Sequence, residues 1–340
     1  MTPIVVSGYG VVSPAGWGVL PFREALAKNE SLPIEALVRP GWQRPLRVRP
    51  VPPPASRPRF LSHARLRRVS PITPYAAAAA LEALGDEASR ASQRDLGLGI
   101  VLCVMAGCVS YSRRFYEETL DNPATASPLV FPETVFNAPA SHIAALLGTP
   151  AINYTLVGDP GMFLQGLAIA SDWLSNERVA RCLVIGAEEL DWLSADAFLR
   201  FERKAVMSEG AGAICLERAS GSKRNLRLRA ISNAHSFSQT LARATAAQAM
   251  RSELSPGAPD CLLCDGTQLL TKLDAAEIAA WRDWPGPRLA PKTVLGEGLA
   301  AASAWQCVAA LDALLLGQCR TATVSVVGVN QQAIGAEFAT

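Results

Sequence analysis

INYTLVGDPGMFLQGL, residues 152–167, carries the turn on which the reading of the fold depends. Ile152, Tyr154, Thr155, Leu156 and Val157 predict a short buried strand that stops at Gly158. Asp159 is placed to cap a helix by accepting a free backbone N–H, and Pro160 suits the first helical position, where its missing N–H costs nothing. From Met162 to Leu174 the sequence is mostly apolar, which predicts a helix buried on nearly every side. A strand, a glycine turn and a buried helix form the elbow on which α/β enzymes often mount a nucleophile. Here the turn carries none.

The rest of the chain bounds what this elbow can belong to. With 340 residues, about half of them apolar and 18% charged, it can bury a sizeable core in one large domain or two packed ones. A net charge of +2 gives no reason to expect nucleic acid or a membrane surface as partner. The opening MTPIVVSGYG lacks a basic region followed by a long apolar run, and no uncharged apolar run approaches a membrane span of about 18 residues. The most hydrophobic segment, Leu299 to Leu316, is interrupted by Gln306 and Asp312, as a buried helix allows. The expectation is a soluble cytoplasmic protein. Eight cysteines lie scattered in apolar segments. Cys261-x-x-Cys264 has neither a second pair nor a nearby histidine, so buried thiols are expected and no metal or cofactor is implied.

Taken in order, the chain opens with a strand, IVVSG, and then Gly8-x-Gly10-x-x-Ser13. This imitates a dinucleotide fingerprint but lacks its third glycine and continues into Pro14, so a structural turn is expected. Between Glu35 and Glu82 there is no acidic residue but there are nine arginines, with prolines crowded among them. This predicts an extended basic arm over about residues 38–68, either a docking patch for an acidic partner or an arm packed on its own domain. A helix rich in alanine follows over 70–84, and a loop leads into a helix over 131–147 with Ser141 as a candidate cap. Strands alternate with helices throughout, several of the strands apolar on both faces, which argues for parallel-rich sheets covered by helices. The halves 1–219 and 220–340, separated at a polar joint over Ser220–Lys223, have similar α/β patterns.

Six segments in order resemble the β-ketoacyl synthases of the thiolase fold: IVVSGYGVVSPAG, LRRVSPITPYAAAAALEAL, FPETVFNAPAS, VIGAEE, SEGAGAICLE and SVVGVNQQA. The resemblance spans nearly the whole chain. It implies a five-layer αβαβα architecture with two pseudo-equivalent halves, and a dimer built across the strand before the elbow. It also implies an elbow cysteine that takes an acyl chain from a carrier protein, and two histidines that assist decarboxylation and stabilise an enolate. On this resemblance the cysteine position falls on Gly158, aligned through Gly161 and Gly166, and the histidine positions fall on Asp265 and Glu297. Only Lys292 of the family's set is retained. His63, His142 and His235 match none of these positions. Between Glu189 and Glu209 the chain is shorter than the family pattern, and the glycine-rich motif that normally holds a gating phenylalanine runs Gly328-Val329-Asn330-Gln331.

A glycine cannot form a thioester, and carboxylates would repel an enolate, so the expectation is loss of condensation. The pattern is similar to the chain-length factors of type II polyketide and aryl polyene systems. These pair with an active ketosynthase, shape its acyl tunnel and work on acyl carrier protein. Their usual glutamine at the cysteine position can support decarboxylation, which Gly158 cannot. Implied tunnel and interface positions are Phe136, Asn137, Asn153, Tyr154, Thr155, Val157 and Val329, with Arg65, Arg67 and Arg68 as partner-docking positions. An alternative is a non-condensing decarboxylase or hydrolase using Asp265 and Glu297 as a proton-sharing pair. A third is a stand-alone acyl-binding protein.

Overall fold

The computed structural model describes residues 3–90, 97–219, 226–238 and 242–340. The polar joint at Ser220–Lys223 lies outside the described residues, as does Leu241, where the sequence predicts a helix start.

Ten strands make two runs with the same internal order. The first run consists of β1 (Ile4–Ser13), β2 (Leu98–Val104), β3 (Ile152–Val157), β4 (Arg181–Glu188) and β5 (Gly210–Arg218), arranged β1-β5-β4-β2-β3. The second consists of β6 (Arg227–Ile231), β7 (Cys261–Cys264), β8 (Arg288–Leu289), β9 (Thr321–Val327) and β10 (Gln332–Ala339), arranged β6-β10-β9-β7-β8. In each run the three strands at the outer end are mutually parallel and the remaining two pairings are antiparallel. The runs meet where β1 pairs antiparallel with β6. Two pseudo-equivalent halves are thus visible in the topology itself.

Five layers follow from where the helices α1 (Ile72–Leu84), α2 (Ala138–Leu147), α3 (Met162–Ser175), α4 (Arg243–Ser252), α5 (Thr271–Ala280) and α6 (Ala300–Leu315) pack. Helices α1 and α2 cover the outer face of the first run, and α4 and α5 that of the second. Between the runs lie α3 and α6, whose side chains fill the largest core cluster together with both sheets. Helix α6 is buried along almost its whole length, as its sequence predicts. Its one charge, Asp312, is neutralised by a bidentate Arg23 at 2.7 and 2.8 Å and by the Tyr9 hydroxyl at 3.0 Å.

Gly8 and Gly10 do not form a turn. They sit inside β1, and the alanine-rich α1 lies so close that a Cβ at Gly8 would come within 2.0 Å of the Ala83 carbonyl oxygen, and one at Gly10 within 2.3 Å of that of Ala79. The glycines and alanines are two sides of one close contact, which is the reason for the false nucleotide signature.

The basic arm is partly structured. Leu46–Arg49 is a strand that joins Glu35–Leu37 and Met207–Ser208 in a small sheet. Arg39 pairs with Asp196 at 2.7 Å, and Arg49 is buried with its Nε on the Leu32 carbonyl. All eight cysteines are buried free thiols. Among the described residues no helix is long and apolar enough to cross a membrane.

Candidate functional site

The elbow is built at the end of β3. Gly158 donates its N–H to the Val104 carbonyl at 3.0 Å, tying the turn to β2. Helix α3 then starts at Met162, preceded by Gly161, so Pro160 lies before the helix rather than in its first turn. Asp159 does not cap it through its side chain. Its main-chain carbonyl accepts the Met162 N–H at 2.8 Å, while its wholly buried carboxylate turns to Val329–Gln332. Similarly, Ser141 lies inside α2, with its N–H on the Asn137 carbonyl, because Pro139 lets the helix begin at Ala138.

The strand before the elbow is not buried in this chain. Strand β3 pairs only with β2, leaving its other edge open among the described residues. Ile152, Asn153, Tyr154 and Val157 are exposed, and Thr155 and Leu156 are half-buried. An apolar composition signals burial, but not whether the cover is the same chain or another. Phe136, exposed, lies against Gly107, with Asn137 exposed beside it. Phe131, Val135 and Leu129 extend the apolar surface. The helix Val109–Asp121 buries none of its side chains fully. Arg65, Arg67 and Arg68 are exposed on a separate short helical turn.

Facing the elbow, the carboxyl-terminal half supplies a dense polar cluster. Pro291 begins a short helix, Pro291–Leu295, which carries Lys292 inward. Lys292 Nζ bonds Glu297 Oε2 at 2.8 Å. Gln268 Nε2 donates to the same oxygen at 2.6 Å, and the Leu299 N–H donates to Oε1 at 2.8 Å. Glu297 thereby supports the left-handed backbone of Leu299 (φ 50°), an uncommon conformation for a leucine, at the start of α6.

Asp265 is turned elsewhere. Its Oδ1 accepts the Thr267 N–H and hydroxyl at 3.1 and 2.6 Å, and its Oδ2 faces Arg288 at 3.8 Å. Asp265 and Glu297 share no hydrogen-bond partner, so a proton-sharing pair between them does not form. The carboxyls that interact with Asp265 are Asp274 and Glu277, both on α5; Glu277 accepts the Gly266 N–H at 3.1 Å and the Ser325 hydroxyl. Burial, then repulsion from Asp265, pushes Glu277 up to about 8, so it is protonated at neutral pH. Asp265 is also raised by burial, opposed by its bonds to Thr267.

Arg243 enters from α4 and donates to the Leu273 and Val327 carbonyls; burial pushes its guanidinium below the usual arginine range, opposed by the nearby charges of Asp159, Asp274 and Glu297. The space bounded by Pro160, Arg243, Gln268, Glu277, Lys292 and Glu297 is only about 10 Å³. That admits at most about one water and no acyl group. The sequence does not single out Arg243 or Glu277. Among the described residues, no group of three or more His, Cys, Asp or Glu side chains could hold a metal ion.

No protein-family model and no curated protein matches the chain. Solved structures do. The ishigamide ketosynthase/chain length factor superposes with a TM-score of 0.81 at 20% identity, covering 99% of each chain. A beta-ketoacyl synthase from Burkholderia phymatum STM815 does so at 0.83 and 16% identity, covering 100% of this chain and 99% of its own. A type II PKS acyl-carrier protein in complex with its ketosynthase bound to the hexaketide matches at 0.79 and 14%, covering 100% and 99%. With the five layers and the duplicated strand order, these likenesses establish that the chain has the thiolase-type fold of ketosynthases and chain-length factors.

Proposed function

We propose that this chain is a non-condensing, ketosynthase-like subunit of the chain-length-factor type. It pairs with an active ketosynthase, shapes the acyl tunnel of that partner and serves chain elongation on acyl carrier protein. The observation that carries this reading is the elbow: Gly158 has no nucleophile, a Cβ there would meet Met162 and Gln331, and the cavity beyond Pro160, bounded by Arg243, Gln268, Lys292 and Glu297, holds only about 10 Å³. A condensing enzyme needs a thiolate there and room for an acyl chain beside it.

The open edge of β3 supports the pairing half of the proposal. An edge strand with an unpaired row of backbone groups and exposed Tyr154 and Val157 is an aggregation hazard unless covered, and a second thiolase-fold subunit would cover it by continuing the sheet. Phe136 and Asn137, exposed just before α2, are the side chains through which the subunit would limit a partner's tunnel, and Arg65, Arg67 and Arg68 offer cationic contacts to acidic carrier protein. The halves meet, on this reading, at the joint after residue 219. A decarboxylase or hydrolase using Asp265 and Glu297 is disfavoured by their separate hydrogen-bond sets.

The test is co-expression with a ketosynthase encoded beside it, followed by copurification and sizing. A stable one-to-one complex with condensing activity supports the proposal. A ketosynthase that elongates fully alone and never binds this chain contradicts it.

A further inference from the structure

The turn between β9 and β10 contains a site that the missing nucleophile does not explain. Four successive backbone N–H groups converge on one carboxylate: those of Val329 and Asn330 on Asp159 Oδ1 at 3.0 and 3.4 Å, and those of Gln331 and Gln332 on Oδ2 at 3.3 and 3.2 Å. Consecutive amides aimed at one point form a concave anion site. The carboxylate is wholly buried. It also sits so close to Gly328 that a Cβ there would lie 1.5 Å from Oδ2, so only glycine admits it. The Asp159 N–H returns a bond to the Gln331 side-chain oxygen at 3.3 Å, and Arg243 lies within electrostatic reach of the carboxylate.

We propose that residues 328–332 form a carboxylate-binding nest whose ligand is the chain's own Asp159, an internal anion that holds the turn onto the elbow and excludes external carboxylates and carbonyl oxygens. The N–H groups of residues 329–332 are all bonded to Asp159, that of Gly328 to the Gln332 carbonyl, and that of Gly158 to the Val104 carbonyl, so none is left for an incoming oxygen. The elbow is closed by this clasp as well as by the absent nucleophile. Restoring a thiol at residue 158 alone therefore leaves it closed.

Chemical rescue tests the proposal. Asp159→Ala removes the internal ligand and leaves the nest, and formate is the probe, compared with chloride at equal ionic strength. The variant is expected to melt several degrees below wild type, and formate to recover a large part of that loss while leaving wild type unmoved. Formate that shifts both proteins equally, or neither, overturns the proposal. If Asp159→Ala does not fold without formate, refolding in formate but not in chloride supports the nest. If it folds in neither, Asp159→Asn decides by hydrogen exchange: loss of protection at the amides of residues 329–332 by tenfold or more supports the clasp, and unchanged protection overturns it.

Discussion

Lys292→Met is the perturbation whose size follows most directly from the geometry of the site. The Lys292 and Glu297 side chains are 6% and 1% exposed, so their 2.8 Å contact is not discounted for solvent screening. Removing one partner of a buried pair costs about 3–5 kcal/mol, because the other charge is left uncompensated. Glu297 keeps the Gln268 amide and the Leu299 N–H, which places the expected loss at the low end, about 3 kcal/mol. Glu297→Gln combined with Lys292→Met removes both charges while Gln can still accept from Leu299. The double variant should lose only about 1–2 kcal/mol, a coupling of about 2 kcal/mol or more. Guanidinium unfolding, followed in parallel by tryptophan fluorescence and far-ultraviolet circular dichroism, measures both, with coincident transitions checking the two-state treatment. If Lys292→Met costs less than about 1 kcal/mol, or the two single losses simply add, the pair is not the structural clamp described here.

Three other outcomes follow from the same geometry. Glu277 binds a proton in the folded chain between its ordinary value of 4.5 and about 8, where the unfolded chain does not, so its contribution to stability falls as pH rises through that window. Glu277→Gln should flatten this loss, the stability difference from wild type shifting in the variant's favour by about 1 kcal/mol per pH unit between pH 5 and 8; thermal melts across that range that stay parallel would contradict the assignment. Gly158→Cys should fold, since the atoms nearest the new Cβ belong to side chains that can turn aside, Met162 Cγ and Cε (3.0 and 3.1 Å) and Gln331 Oε1 (3.2 Å), yet form no acyl-enzyme by mass spectrometry with acyl carrier protein as donor. Tyr154→Lys on the open edge should abolish association with a ketosynthase in sizing experiments while changing the stability of the isolated chain by about 1 kcal/mol or less, because Tyr154 is 55% exposed.

What the sequence discloses depends on whether a residue's role is set locally or by distant packing. Strands apolar on both faces, such as LGIVLCV, and the buried helix over 300–315 were legible because their composition alone requires cover on every side. Gly8 and Gly10 misled because a glycine demanded by a neighbouring helix backbone looks the same as a glycine demanded by a turn. Asp159 follows the local rule for a helix cap, but four amides from a turn 170 residues away outbid the helix end. Strand β3 reads as core because its residues have a core strand's composition, although its outer edge is exposed in this chain. At the candidate site, the ordered motifs point to Gly158, Lys292 and Glu297. Arg243 and Glu277 come from outer helices, and only the folded arrangement shows that they line the small cavity with Pro160, Lys292 and Glu297.

The central claim is that this chain completes another subunit's active site and has none of its own. The most direct measurement compares acyl elongation on carrier protein by the purified chain, by the cognate ketosynthase, and by the two copurified. The account predicts no elongation by the chain alone and product of defined length only from the complex. Elongation by a homodimer of this chain would contradict it.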